Sequence, residues 1–239
     1  LRQHFPKVPI LALTATASEQ VRNECIQILQ LSRDHEYFRS SSNRPNLKYQ
    51  VRPKDTNTIQ DMTEFIKENH PHSAGIVYTY SRKDADTVAY ELCEQGIVAE
   101  AYHSDVDSKR KRLIHQSWMK NRTQVVVATI AFGLGINKPD VRFVLHHTVS
   151  KTLEAYYQES GRAGRDGKPS DCVLYYSPKD VIKMMKMMHG DSTEELFIVM
   201  VRYAQNFGDD SACRSLILQN LGEPNQDVDT FAALSDGMD

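Results

Sequence analysis

The sequence predicts an α/β protein: a parallel sheet with helices on both faces, followed by a small helical subdomain. Three observations carry this. Between positions 47 and 176, short apolar runs alternate with longer stretches of helical periodicity, the strand-helix-strand rhythm of βα units. Runs such as Val125-Val126-Val127 lack the in-out alternation of a half-solvated strand, so they suit strands covered on both sides. Beyond position 176 the strand pattern stops and only helical patterns remain.

Composition narrows the class. A chain of 239 residues, 40% hydrophobic and 25% charged, can bury a sizeable core and suits one full domain with pieces of its neighbours. The formal net charge of −2 gives no global basic signature, so any nucleic-acid contact must come from a local patch. Cys25, Cys93, Cys172 and Cys213 form no Cys-x-x-Cys pair and read as reduced thiols in an intracellular protein. The apolar residues after Arg2 and Lys7, closed by Ala15-Thr16-Ala17, imitate a secretion signal, but Pro6 and Pro9 interrupt them and a capped helix follows. No stretch is long enough to span a membrane, and no membrane contact is expected.

In chain order, 7–13 reads as a central strand, 14–17 as a tight loop, and Ser18 as the cap of a helix reaching position 29. A short strand is expected at 36–39, and the polar, proline-stopped stretch 40–46 marks a domain boundary. Strands follow at 47–51, 75–80, 98–102, 124–128, 142–146 and 172–176. Helices fall between them at 58–69, 83–95 and 108–120, and another leads into Tyr156. The later helices are expected at 179–188, 193–206 and 211–221, ahead of an acidic, polar tail with little to anchor it.

Two stretches carry chemistry. Gly161-Arg162-Ala163-Gly164-Arg165-Asp166-Gly167 sets two arginines three residues apart, each after a glycine, so the backbone can approach a ligand while planar guanidinium forks bind phosphate oxygens. The bland alternative is a surface turn whose arginines pair with Asp166 and Glu159. Upstream, Ala128-Thr129-Ile130-Ala131-Phe132-Gly133-Leu134-Gly135-Ile136-Asn137 leaves a buried strand through a glycine loop, where open α/β sheets place ligands.

Together these stretches resemble the fifth and sixth motifs of superfamily two helicases as spelled in the RecQ family of DNA helicases, and the resemblance covers nearly all of the chain. Leu13-Thr14-Ala15-Thr16-Ala17 resembles the third motif and Tyr78-Thr79-Tyr80-Ser81-Arg82 the fourth. The resemblance implies residues 1–42 as the tail of the first RecA-like domain with its linker and 43–177 as the second RecA-like domain. It implies 178–222 as the helical platform that bears a four-cysteine zinc site in the family, with 223–239 a loosely ordered tail. It further implies an ATP-dependent, 3′-to-5′ DNA helicase of repair and recombination, using ATP with Mg²⁺ on single-stranded and forked duplex DNA. Such a protein is nuclear in a eukaryote and cytoplasmic otherwise.

By the same resemblance Arg165, Arg162 and Gln158 serve catalysis, and Gly135, Asn137, Arg162 and Arg165 bind ATP. Arg44, Ser81, Arg82, His103, Thr129 and Phe132 touch DNA. Ser81 suits a plain helix cap equally well, and a lone histidine such as His103 is more often structural. The basic run Lys109-Arg110-Lys111-Arg112 suits a phosphate patch or, spread around a helix, a solvated face.

The sequence departs from the family in three places. No Gly-x-x-x-x-Gly-Lys-Ser/Thr loop or Mg²⁺-binding acidic pair is present, so the chain alone is expected to hydrolyse ATP hardly at all and to need the first RecA-like domain in cis. Cys213 matches the first zinc ligand, but no cysteine or histidine follows it, so no zinc is expected. Asn137 replaces an aspartate, keeping a hydrogen-bond acceptor without the charge. A degenerate helicase domain kept as a binding module is the alternative, and a superfamily two RNA helicase the more distant one.

Overall fold

The structure, a computed structural model, describes residues 4–14, 19–32, 34–129, 137–188, 190, 193–208 and 210–223. These fall into two compact units, one within Arg44–Cys213 and the other within Leu1–Asn43 and Arg214–Asp239.

The larger unit is a sheet of six strands, every pairing parallel. The strands are β1 (Leu47–Pro53), β2 (Ala74–Tyr78), β3 (Ala99–Tyr102), β4 (Val125–Ala128), β5 (Val141–His146) and β6 (Ser170–Tyr176), in spatial order β1-β6-β5-β2-β4-β3. The connecting helices are α2 (Thr58–Asn69), α3 (Arg82–Glu94), α4 (Ser108–Met119) and α5 (Leu153–Ser160). Then come α6 (Pro178–Met188) and α7 (Glu194–Ala204), while α1 (Glu19–Leu29) belongs to the smaller unit, as does α8 (Asp210–Asn220) from Arg214 onward.

The valine run works as expected: β2 and β4 are buried at every position. Val77, Val127, Leu145 and Val173 pack with Met62, Phe65 and Ile66 of α2 and Val88 and Leu92 of α3. Their neighbours in sequence, Ile76, Val126, Val144 and Leu174, point the other way and are equally inaccessible, so both faces are covered. Edge strand β1 instead alternates, burying Leu47, Tyr49 and Val51. Trp118 of α4 is fully buried and its indole Nε1 donates to the Gly75 carbonyl at 3.1 Å. Gly75 itself is obligatory, since a Cβ there would sit 1.9 Å from the Phe143 ring.

Helix starts follow their caps. Ser81 accepts from the Asp84 amide, Asp107 from the Lys109 and Arg110 amides, and Thr152 from the Ala155 amide, each meeting a backbone donor that the first helical turn leaves open.

Two expected strands do not form. Residues 7–13 and 36–39 have no strand pairing among the described residues, and Leu11 and Leu13 are 79% and 85% exposed. A strand is stabilised by its neighbours, and apolar sequence without an adjacent strand cannot close a ladder. Of the loop at 14–17 and the cap at Ser18, only Thr14 lies within the described residues. In the smaller unit Arg39 donates to the Leu221 carbonyl at 2.9 Å, and Arg214 to the Asn43 side chain at 3.1 Å.

Candidate functional site

Crossovers run from β2 to one edge of the sheet, and the chain returns to place β5 on the other side of β2. In open α/β sheets the crevice beyond the carboxyl ends of the strands at such a reversal is where ligands bind. Here it lies at the paired residues Tyr78 and His146, whose rings stack with centroids 5.1 Å apart.

The arginine-glycine loop after α5 is anchored at the amino ends of β5 and β6 and sends Arg162 to Tyr78. Gly164 adopts φ +54°, and its amide donates to the Val141 carbonyl at 2.9 Å. A Cβ there would approach Asn46 Nδ2 to 2.5 Å and the Lys168 carbonyl to 2.8 Å, so this position accepts glycine alone. Asn46 Nδ2 donates to the Gly164 and Lys168 carbonyls at 2.9 and 3.0 Å. Arg44 reaches across the fold, donating to the carbonyls of Gly161 (3.1 Å), Ala163 (3.0 Å) and Gly164 (2.6 Å).

With its backbone held by other side chains, the loop presents its guanidinium groups. The Arg162 guanidinium hydrogen-bonds the hydroxyl of buried Tyr78. Burial pushes that hydroxyl's pKa well above the usual phenol value, and the charge of Arg162 opposes the rise. Arg165 is exposed, and its Nη1 donates to Asn137 Oδ1 at 3.3 Å. Partial burial, followed by the positive charges of Arg162 and Arg44, holds the Arg165 guanidinium below its ordinary value. The acids of the bland alternative are engaged by other groups. Asp166 takes Arg142 at 2.6 Å, and Glu159 takes His146 at 2.9 Å and Ser150 at 2.6 Å. A cluster of like charges at an exposed strand end favours an anion, because each guanidinium raises the cost of the others until a negative charge arrives.

The remaining residues divide. Gln158 is exposed on α5, and Thr129, half-buried, follows β4. Gly135 and Phe132 lie outside the described residues. Ser81 spends its hydroxyl on the cap, donating to Asp84 Oδ2 at 2.7 Å, and exposed Arg82 pairs with Asp105. His103 is 6% exposed and its Nε2 faces Asp86 at 2.9 Å, so the ring sits inside the fold with little surface for a ligand. In the basic run Arg110 pairs with Glu100 and Lys111 donates to the Ser104 carbonyl, while Lys109 and Arg112 face solvent. Cys213 is fully buried, its thiol donating to the Asn206 carbonyl at 3.7 Å. Among the described residues no three His, Cys, Asp or Glu side chains gather to hold a metal.

Sequence reasoning named Arg44 only as a DNA contact and Tyr78 only as part of the fourth motif, and nothing in a polar linker marks Arg44 as the brace of a loop more than a hundred positions away; His146 read as an ordinary strand end. The one available signal was polarity at the close of otherwise apolar strands.

Residues 57–167 match the helicase conserved C-terminal domain family. The chain is 46% identical over 234 residues to ATP-dependent DNA helicase Q-like 2 of Arabidopsis thaliana, covering 95% of this chain and 32% of that protein. It is 43% identical to ATP-dependent DNA helicase Q1 of Pongo abelii over 91% of this chain and 34% of that one. Against RecQ-like DNA helicase BLM of Xenopus laevis the identity is 41%, over 94% of this chain and 17% of the relative. The chain thus spans about a third of the length of the first two relatives. Among solved structures, S. cerevisiae Dbp5 bound to RNA and ADP BeF3 superposes with a TM-score of 0.60 at 16% identity, covering 80% of this chain and 54% of that one, a likeness of fold.

Proposed function

This chain belongs to the RecQ family of ATP-dependent DNA helicases, with a helicase conserved C-terminal domain, and we propose that it is the C-terminal motor half of a 3′-to-5′ DNA helicase. The observation that carries the proposal is Arg165, exposed beside Arg162 and Arg44 and within electrostatic reach of Tyr78.

In this reading the first RecA-like domain brings the phosphate loop and Mg²⁺ site, and closure on ATP places Arg165 against the terminal phosphate. A planar fork there stabilises charge that shifts onto the phosphoryl oxygens in the transition state. Arg162 and Gln158 position that fork, and Asn137 with Gly135 lies on the nucleotide side. Ser81, Arg82, Thr129, Phe132 and Arg44 are the DNA contacts in this reading, whereas His103, buried against Asp86, is not one of them. Of these, Arg82 is the exposed cation and Arg44 acts through the loop it braces. The division into 1–42, 43–177, 178–222 and 223–239 belongs to the same proposal. Exposed Leu11 and Leu13 fit a segment whose packing partners lie in the first domain. Nuclear repair and recombination is the setting that suits such a protein in a eukaryote.

The test is ATP turnover by the full-length helicase with saturating single-stranded DNA. Arg165→Ala is expected to lower it by on the order of a hundredfold or more while leaving DNA binding nearly intact. Arg165→Lys should rescue little, because an ammonium lacks the planar fork. Turnover of Arg165→Ala within a few-fold of wild type, on the scale of a lost charge-stabilising donor, would remove Arg165 from the ATP site.

A further inference from the structure

Glu159 and Arg162 are joined twice. Along the backbone, the Arg162 amide donates to the Glu159 carbonyl at 3.3 Å. Through side chains, Glu159 Oε2 accepts from Ser150 Oγ at 2.6 Å and from His146 Nε2 at 2.9 Å. The His146 ring stacks on Tyr78, and the Tyr78 hydroxyl meets the Arg162 guanidinium. The circuit closes on a side chain whose reach into the crevice is thereby fixed at both ends.

The members of this circuit lie deep: Glu159 is 6% exposed, Ser150 4% and His146 1%. Burying a carboxylate and an imidazole costs several kcal/mol of desolvation before their mutual attraction is counted, and apolar residues of similar volume would pack at lower cost. His146 Nδ1 is buried with no hydrogen-bond partner among the described residues, so Glu159 is the polar tether that sets the ring's rotation. Rotation of that ring is what Tyr78 packs against.

We propose that Glu159 is a positioning residue for Arg162, acting through His146 and Tyr78 to hold the guanidinium where it serves the phosphate site. This rests on the ATP-site reading above. The carboxylate touches no substrate; its effect on turnover passes through the arginine.

The experiment uses the full-length helicase with saturating single-stranded DNA. Glu159→Gln keeps the side chain's size but turns one acceptor into a donor facing either Ser150 or His146. The expected result is a fall in kcat of about 10- to 100-fold with KM for ATP unchanged, as for a reacting group displaced by a fraction of an ångström. Affinity for ADP with aluminium fluoride should fall in parallel, while affinity for ADP alone stays constant. In an Arg162→Ala background, Glu159→Gln should change turnover by less than about twofold, because the group through which it acts is gone. Ser150→Ala, which removes one donor and leaves the carboxylate in place, should give a smaller fall that Arg162→Ala likewise masks; it serves where Glu159→Gln lowers the yield of folded protein. Undiminished kcat in Glu159→Gln, or a full additional loss in the Arg162→Ala background, overturns the proposal. If Arg162→Ala and Arg165→Ala themselves retain turnover, the ATP-site reading fails; if they lose it and Glu159→Gln does not, only the positioning role fails.

Discussion

The loop after α5 lies at the amino ends of β5 and β6 and the turn after β2 at that strand's carboxyl end; both hold a serine or arginine expected to meet phosphate, yet they use their side chains differently. At Gly161–Gly164 the backbone is held by outsiders: Arg44 and Asn46 satisfy its carbonyls, leaving Arg165 exposed and Arg162 turned to Tyr78. At Ser81 the turn holds itself, with the hydroxyl bonded to both the amide and the carboxylate of Asp84. Asp84 in turn takes Lys183 at 3.2 Å, and Lys183 lies 4.0 Å over the Tyr80 ring. Glycine makes the first arrangement available, since a residue without a side chain leaves room for another to reach its backbone. A self-capped turn has fewer groups left for a ligand.

If the loop depends on that external brace, Gly164→Ala should be the most damaging change in either region. It combines left-handed backbone strain with contacts under 3 Å to Asn46, Lys168 and Ser170, and a loss of about 3 kcal/mol or more is expected. Gly167 has a similar φ of +81° but open space around it, so Gly167→Ala should cost only about 1 kcal/mol. Urea unfolding of both variants checks the contrast, and equal losses would break it.

Acid should act on the other region. Burial, followed by the charge of Lys54, lowers the pKa of His147 to about 4, against an ordinary value of 6.5; Asp84 opposes this and Lys183 adds to it. A group whose folded value is depressed binds its proton more readily when unfolded, so stability is retained above pH 6.5 and lost as the pH falls towards 4. The loss attributable to His147 should reach at most about 3 kcal/mol, and His147→Gln should flatten that part of the stability profile. An unchanged slope in His147→Gln would assign the acid sensitivity to other groups.

The smallest effect is expected at Ser81→Ala, where loss of the cap should cost about 1 kcal/mol in thermal or urea unfolding. If Ser81 also meets DNA phosphate, affinity for single strands will fall beyond what the stability change explains, and the contrast between the two turns will narrow.

The fold was legible wherever burial alone decides. A valine run such as β4's has one use in an α/β protein, and the cap at Ser81 stands where the sequence offered a serine cap. The apolar residues at 7–13 show the limit, because strand propensity describes a fit to neighbours. The arginine loop was visible as a motif, yet its support was not. Arg44 could have bonded any nearby carbonyl, and only the tertiary fold brings it to Gly161 through Gly164. Glu159, read as a possible partner of the loop's arginines, is taken instead by His146, a choice set by the register that puts Tyr78 beside that ring. His103 shows the reverse: an acid one helix away decides where a lone histidine points.

The pairing of β1 with β6, complete from Leu47 and Ser170 to Pro53 and Tyr176, also sets a clock on the ribosome. The first strand of the sheet to be synthesised has no neighbour except the last. At roughly 5–20 residues per second, Leu47, Tyr49 and Val51 leave the exit tunnel on the order of ten seconds before their partner strand exists. Through that interval the nascent chain carries an unsatisfied apolar edge, and the sheet can close only when Tyr176 has emerged.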